Sequence, residues 1–248
     1  MTRCENCGVL WPESRELCAS CGAFASFLPF EAPSPEPPPG LAVLARDLEE
    51  GAQGHIPTGF EAWDEVLSGG LVLGSSLVVY GQAGSRKTTW SGAIADHVAT
   101  RCRGKALFLS AEMPGSQVRD AIARIREPRN VYVIGAERNA CSLDACLKEV
   151  LRLRPRVVIY DSIQSFDAAS AMAGSDLAVK TTVNLARRFA AQYRHAAILI
   201  SQVNKAGLPA GPHRTIHDCD IVAHLEFAKV TIKNKNRYGP TPREAVLP

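Results

Sequence analysis

The sequence predicts an α/β protein in which a mostly parallel sheet carries helices on both faces, preceded by a small zinc ribbon. Three observations predict it. From residue 76 onward, short and continuously apolar β-rich runs alternate with helical patterns, as strands buried on both faces require. A glycine-rich phosphate loop stands where one of those runs gives way to a helix. Two Cys-x-x-Cys pairs lie at the amino end, ahead of a proline-rich spacer.

At 248 residues, 46% apolar and 21% charged, the chain holds one core of ordinary size with about fifty residues left for a small appendage. No apolar run approaches the roughly 18 to 20 residues that cross a bilayer, and the opening MTRCENC has no apolar stretch to serve as a secretion signal. A soluble, cytoplasmic protein with no membrane partner is expected. The net charge of +3 divides unevenly: residues 1 to 50 hold 3 Lys and Arg against 8 Asp and Glu, leaving 25 against 17 for residues 51 to 248. The larger part is basic, which favours polyanionic partners such as nucleotides or nucleic acid.

Residues 1 to 28 are too few for a core and need a metal to fold. Cys4, Cys7, Cys18 and Cys21 form two matching C-x-x-C-G knuckles separated by ten residues. Each knuckle aims two thiolates at one tetrahedral ion, the glycine easing the turn. Four thiolates favour zinc, and with no ligand position left for water the zinc is structural. Cys102, Cys141, Cys146 and Cys219 are scattered outside this pattern. Within residues 29 to 45, the stretch PFEAPSPEPPPG carries six prolines and almost no periodic apolar signal, so this segment reads as a semi-rigid linker.

Residues 46 to 248 form the nucleotide domain. Its pattern runs SLVVY (76 to 80), a helix from about Lys87, ALFLS (106 to 110), a helix from about Gly115, VYVI (131 to 134) and a helix from about Leu143. RVVIY (156 to 160), an amphipathic helix over about 176 to 194 and AAILIS (196 to 201) continue the alternation. IVAHLE and AKVTIKN then follow each other without a helix, which predicts antiparallel strands finishing one edge of the sheet.

The run Gly81-Gln82-Ala83-Gly84-Ser85-Arg86-Lys87-Thr88-Thr89 follows SLVVY directly and stands close to the phosphate-loop pattern G-x-x-x-x-G-K-[ST]. Backbone N–H groups of such a loop, with the following helix N-terminus, hold phosphates. Lys87 is expected to reach the β and γ oxygens of ATP, and the Thr88 hydroxyl to bind Mg²⁺. Arg86 occupies the place where glycine normally precedes the lysine, and its side chain must leave the loop if ATP is to bind. Glu112, just past the next strand, is placed to deprotonate a water attacking the γ-phosphate, the competing reading being a favourable charge at the start of the next helix. Asp161 ends a further apolar run and is placed to hold Mg²⁺. Gln202, at the tip of AAILIS, can sense the γ-phosphate and relay its presence toward Lys205.

Together these residues resemble the RadA (Sms) family of bacterial DNA-repair ATPases, within the RecA-like P-loop NTPases. The blocks that carry the resemblance are CENCG with CASCGAF, PTGFEAWDEVLSGGLVLGS with the phosphate loop, and VVIYDSIQS. Lys205 with Gly207, Ala210-Gly211-Pro212, Asp220 and the block Lys235-Asn236-Arg237-Tyr238-Gly239 add to it. The resemblance implies a homo-hexameric ring that hydrolyses ATP and moves along single-stranded or branched DNA, assisting branch migration in repair and recombination. It implies that Lys235 and Arg237 reach the neighbouring subunit's γ-phosphate, where a cation supplied in trans offsets transition-state charge. It also implies that residues 167 to 176 and 204 to 217 face the DNA, with Lys205 and Arg214 on phosphates. His213, His217 and Cys219 then read as loop residues, and His195 as a helix end.

The family normally continues into a Lon-protease-like domain, and the sequence to Pro248 is expected to lack it. Two other functions fit part of the pattern. One is a hydrolysis-deficient, nucleotide-responsive adaptor whose ribbon docks on a RecA-type recombinase or a replication protein; retention of Glu112, Asp161 and Arg237 argues against it. The other is a KaiC-like regulatory ATPase, against which stand the ribbon and the K-N-R-Y-G block.

Overall fold

The computed structural model describes residues 2–5, 10–11, 27–29, 54–138, 142–168, 171–203 and 218–248. They belong to two compact units, Met1–Ala52 and Gln53–Pro248. In the first, β1 (Thr2–Cys4) pairs antiparallel with both β2 (Leu10–Trp11) and β3 (Phe27–Pro29). Cys4 lies opposite Phe27 in that ladder and is buried. The other three expected zinc ligands, Cys7, Cys18 and Cys21, lie outside the described residues.

The second unit opens with a small antiparallel pair, β4 (His55–Ile56) and β5 (Leu71–Val72), around the short helix α1 (Glu61–Val66). Thr58 fixes the entry to α1, its N–H and hydroxyl both donating to Asp64 Oδ1 at 2.6 and 2.7 Å. The alternation expected from the sequence then unfolds in order. It comprises β6 (Ser76–Tyr80), α2 (Lys87–Arg101), β7 (Ala106–Ser110), α3 (Gly115–Ala123), β8 (Val131–Ile134) and α4 (Leu143–Leu153). After these come β9 (Val157–Asp161), α5 (Asp176–Tyr193), β10 (Ala196–Ser201), β11 (Ile221–Glu226), β12 (Lys229–Ile232) and β13 (Arg243–Val246).

The eight strands from β6 to β13 form one sheet in the order β13-β12-β11-β6-β10-β9-β7-β8. Neighbours from β6 through β8 are parallel. The expectation for the final strands needs correction. β11 is antiparallel to β12 but parallel to β6, so it extends the parallel sheet before the edge reverses. A parallel neighbour needs a crossover of about a dozen residues or more, and residues 202–220 supply that length without any helical pattern in the sequence to announce it.

Period-two alternation assigns each strand residue to a face. Leu77, Val79, Phe108, Ile159 and Ile198 pack under α1, α2 and α3 with Trp63, Ile94 and Ile122. Val78, Leu107, Leu109, Val158 and Leu199 pack under α4 and α5 with Leu147 and Val183. Burial of each such side chain contributes about 1.5 to 3 kcal/mol, so the two apolar layers, rather than helix propensity, hold the helices in place. Helix α2 is buried on nearly all sides, and at Gly92 a Cβ would meet Ile122 Cγ1 of α3 at 2.4 Å, which is why the helix carries glycine there. Helices α4 and α5 are capped as their sequences suggest, the Ser142 and Ser175 hydroxyls accepting from the N–H groups of Ala145 and Ala178. Helix α5 ends at Tyr193, with Arg194 as a left-handed cap.

His195 follows that cap and is fully buried, and neither ring nitrogen has a hydrogen-bond partner. Burial pushes its pKa down to about 4. Between pH 4 and about 6.5 the unfolded chain therefore binds the proton that the folded chain refuses, and stability rises with pH across that window. The contribution is complete above pH 6.5 and is lost on acidification at up to about 1.4 kcal/mol per pH unit. Urea unfolding of the wild type and of His195→Leu at pH 7 and pH 5 checks this; the variant is expected to lose distinctly less stability between the two.

Candidate active site

The parallel strands β6, β10, β9 and β7 are consecutive neighbours, so their carboxyl ends lie side by side on one edge of the sheet. Open α/β sheets hold ligands at this edge. From β6 the chain turns at Gly81, where a Cβ would stand 2.1 Å from the Leu225 carbonyl oxygen of β11. Gln82 and Ala83 are exposed, Gly84 has φ +80° and Ser85 is buried. Lys87 Nζ donates to the carbonyl oxygens of Gly81 and Gln82, both at 2.8 Å, so the loop is wrapped around its own ammonium. Burial lowers the pKa of that ammonium, and the charges of Asp161 and Glu112 oppose the shift. Thr89, one residue beyond Thr88, is buried in the fold.

Arg86 takes φ 64° and ψ 27°, the left-handed conformation in which glycine is free of strain. The loop thus keeps the backbone shape that glycine serves at this position. The Arg86 guanidinium lies over the Phe227 ring in the β11–β12 turn, 4.8 Å from its centroid. That contact contributes about 0.5 to 1 kcal/mol at an exposed site, which offsets part of the backbone strain.

Asp161 ends β9, where its neighbours in register are Ser110 of β7 and Ile200 of β10. The Thr88 hydroxyl donates to Asp161 Oδ2 at 2.7 Å and so ties α2 to the middle of the sheet edge. Burial pushes the Asp161 carboxyl up to about 6, the Thr88 hydrogen bond opposing it. A hydroxyl and a buried carboxylate in contact, with oxygen donors only, fit a small hard cation such as Mg²⁺.

Glu112 sits two residues past β7 and ahead of α3, whose N-cap is Pro114. It is therefore outside the first turn of that helix. Its Oε1 accepts from the hydroxyls of Ser162 and Ser165, both at 2.6 Å, and from Gln202 Nε2 at 3.2 Å. Three strand ends, β7, β9 and β10, thereby converge on one carboxylate oxygen. Sequence reasoning found Glu112 and Gln202 separately; it did not find Ser162 and Ser165, although the hydroxyl-rich run DSIQS directly after an apolar strand was the available signal.

The remaining expected residues lie elsewhere. Arg237 Nη1 pairs with Asp220 Oδ1 at 2.8 Å, and Asp220 Oδ2 accepts from the Ser76 N–H at 2.9 Å and hydroxyl at 2.7 Å. Ser76 and Asp220 stand at the amino ends of β6 and β11, so this ion pair is separated from the phosphate loop by the length of β6, about 16 Å. Lys235 is half-buried beside it, its carbonyl accepting from Val222 N–H. Within 167 to 176, Asp167 Oδ1 accepts from Ala173 N–H at 2.7 Å and Ser175 caps α5; residues 169 and 170 lie outside the described residues. Lys205, Arg214, His213 and His217 also lie outside them, whereas Cys219 is described and buried in the core. Among the described residues no group of three or more His, Cys, Asp or Glu is arranged to hold a metal, and no helix is long and apolar enough to cross a membrane.

A family profile described as an AAA domain matches residues 53–207, more than half of the chain. The chain belongs to that family. Its AAA domain contains the phosphate loop, Glu112, Asp161 and Gln202, all gathered on the one sheet edge. The chain is also similar to the DNA repair protein RadA of Aquifex aeolicus (strain VF5), 28% identical over 255 residues that cover 98% of this chain and 56% of the relative. RadA of Mycolicibacterium smegmatis is 28% identical over 259 residues, covering 96% and 55%, and RadA of Synechocystis sp. is 30% identical over 228 residues, covering 82% and 44%. The chain spans about half the length of the curated relatives it matches.

Proposed function

We propose that this AAA domain hydrolyses ATP and that hydrolysis is coupled to single-stranded or branched DNA in repair and recombination, in the manner of the RadA proteins it resembles. The observation that carries the reading is the convergence of Lys87, the Thr88–Asp161 pair and the Glu112 cluster on one edge of the sheet. Lys87 draws the β and γ oxygens into the loop. Thr88 and Asp161 hold Mg²⁺, which when bound neutralises phosphate charge. Glu112 takes a proton from the water whose oxygen bonds to the γ-phosphorus as the bond to the β–γ bridging oxygen breaks. Ser162 and Ser165 fix the rotamer of Glu112, and Gln202 links that carboxylate to β10, which continues into residues 204–217 and the proposed DNA contacts Lys205 and Arg214.

Arg237 and Lys235 serve a neighbouring copy in this reading. Their separation from the phosphate loop of their own chain, by the length of β6, supports a role in trans, and such a role calls for a ring, here a homo-hexamer. Cys4, Cys7, Cys18 and Cys21 hold a structural zinc; a buried Cys4 at the end of β1 is consistent with a ligand turned inward. The ribbon is proposed to dock on a RecA-type recombinase or a replication protein, and the cytoplasm is the proposed location.

Arg86 in place of glycine favours a second reading, a nucleotide-responsive adaptor without turnover. The test is ATP turnover with and without single-stranded DNA, alongside particle mass and zinc content. Turnover accelerated by DNA, a mass near six chains and about one zinc per chain are expected. Arg86→Gly is expected to keep turnover within a few-fold, because its backbone already occupies a glycine conformation. Tight ATP binding with background turnover, restored by Arg86→Gly, would establish the adaptor instead.

A further inference from the structure

The amino edge of the same sheet carries a second cationic site. The adjacent strands β7, β9 and β10 are each entered through basic residues: Arg103 and Lys105, Arg154 and Arg156, and Arg194. Backbone hydrogen bonds lock these entries together. The Arg156 N–H donates to the Lys105 carbonyl at 2.7 Å and the Ala196 N–H to the Arg156 carbonyl at 2.9 Å. Arg154, Arg156, Arg194 and His195 line one open cavity of about 350 Å³. The Arg156 stem passes over Gly104, where a Cβ would lie 2.6 Å from its Cγ. All five cations are exposed, and none forms an ion pair among the described residues.

One ordinary explanation is that cations gather at helix C-termini, where they offset the helix dipole. It covers Arg154 and Arg194, the caps of α4 and α5. It does not cover Arg156, which belongs to neither helix. Nor does it cover His195, a fully buried wall of the cavity whose two ring nitrogens lack partners, since buried polar atoms are normally paired. Arg103, Arg154 and Arg194 also occupy left-handed backbone, with φ of 48°, 46° and 53°, where glycine is the unstrained choice. Three arginines at such positions keep guanidinium groups where chain geometry alone favours no side chain.

We propose that this edge binds the phosphate backbone of a nucleic-acid strand, Arg154, Arg156 and Arg194 pairing with phosphate oxygens. Guanidinium forks match phosphate oxygens in pairs, which favours phosphate over a point-charge partner. Three strands spaced about 4.8 Å apart spread the basic entries over about 10 Å, the rise of about three nucleotides. An open cavity with exposed cations suits a polymer that crosses it and stays half-solvated. The site lies at the edge opposite to the one where β10 ends at Ser201, and it extends the DNA reading proposed above.

The test measures binding of a labelled thirty-nucleotide single strand and of the corresponding duplex to the full chain across a salt series. Three proteins are compared: wild type, R154G/R156Q/R194G and Lys205→Ala/Arg214→Ala. Glycine is at ease in the left-handed caps, so the triple variant is expected to fold, which thermal melting checks; Arg156→Gln alone gives a milder second variant. Loss of the edge contacts is expected to weaken binding at least tenfold at low salt and to lower the log–log salt slope by about 2, from about 0.7 to 0.9 per phosphate. Unchanged affinity and slope in both edge variants overturn the inference. Competition by polyglutamate as effective as DNA of equal charge also overturns it, in favour of an acidic protein partner. A wild type that binds DNA only through Lys205 and Arg214 overturns this site while upholding the DNA reading; a wild type that binds neither DNA overturns both.

Discussion

Lys87→Ala is expected to reduce ATP turnover at least about 100-fold, the loss seen when a positioned group that stabilises transition-state charge is removed. The lysine has two jobs that the geometry separates. Its ammonium, half-buried with lowered pKa, is the cation proposed to meet the phosphates, and it also staples the loop by donating to the carbonyl oxygens of Gly81 and Gln82 at 2.8 Å. Alanine removes both charge and staple. Loop integrity is nevertheless held independently by the fit of Gly81 under the Leu225 carbonyl and by burial of Ser85. The folded domain should therefore survive, with a melting temperature close to that of the wild type, while titration with a labelled ATP analogue and Mg²⁺ shows affinity greatly reduced. Lys87→Arg is expected to be nearly as damaging, because a planar fork cannot take the place of a compact ammonium enclosed by two carbonyl oxygens. Turnover within a few-fold of wild type in Lys87→Ala would place the triphosphate somewhere other than this loop.

The sheet's central strands were legible because burial on both faces leaves a continuous apolar run, and SLVVY, ALFLS and AAILIS coincide with β6, β7 and β10. The run RVVIY starts one residue ahead of β9, which spans Val157 to Asp161, so Asp161 is the strand's own last residue. The direction of β11 was not legible, since alternation in IVAHLE fixes which side chains are buried and says nothing about which neighbour the strand selects. The short pieces β4, α1 and β5 give no sequence signal because two-residue strands have no period to detect and a six-residue helix makes fewer than two turns. At the site, spacing pointed to Lys87, Thr88, Glu112, Asp161 and Gln202 one by one. It could not show that Ser162, Ser165 and Gln202 share one oxygen of Glu112, because strand order brings them together from separations of 50 to 90 residues. Arg86 is the converse case. The sequence raised the conflict of a bulky residue in glycine's place, and only the backbone angle and the Phe227 contact describe how the chain accommodates it. Asp220, recognised only as part of a family block, is an anchor joining Ser76 to Arg237, a pairing across 144 residues that no local pattern signals.

Glu112→Gln separates chemistry from binding, and its turnover is expected to fall about 100-fold to 10,000-fold while ATP affinity stays near wild type. The substitution changes little except the ability to accept a proton. Glutamine has the same shape, and its carbonyl oxygen can keep the hydrogen bonds now received from Ser162 and Ser165 at 2.6 Å. Asp161, Thr88 and Lys87 are untouched, so the proposed phosphate and Mg²⁺ contacts are expected to remain. The cluster gives a graded companion series. Ser162→Ala and Ser165→Ala each remove one positioning hydrogen bond and should lower kcat by less than Glu112→Gln, with little change in KM, because rotamer freedom returned to the carboxylate costs orientation rather than affinity. Gln202→Ala removes the 3.2 Å link from β10 and should reduce the acceleration by DNA more than the basal rate. Measurement of kcat and KM for the four variants, with and without single-stranded DNA, checks the ordering. Equal turnover in Glu112→Gln and wild type would take the proton-accepting role away from Glu112 and leave its three hydrogen bonds as architecture.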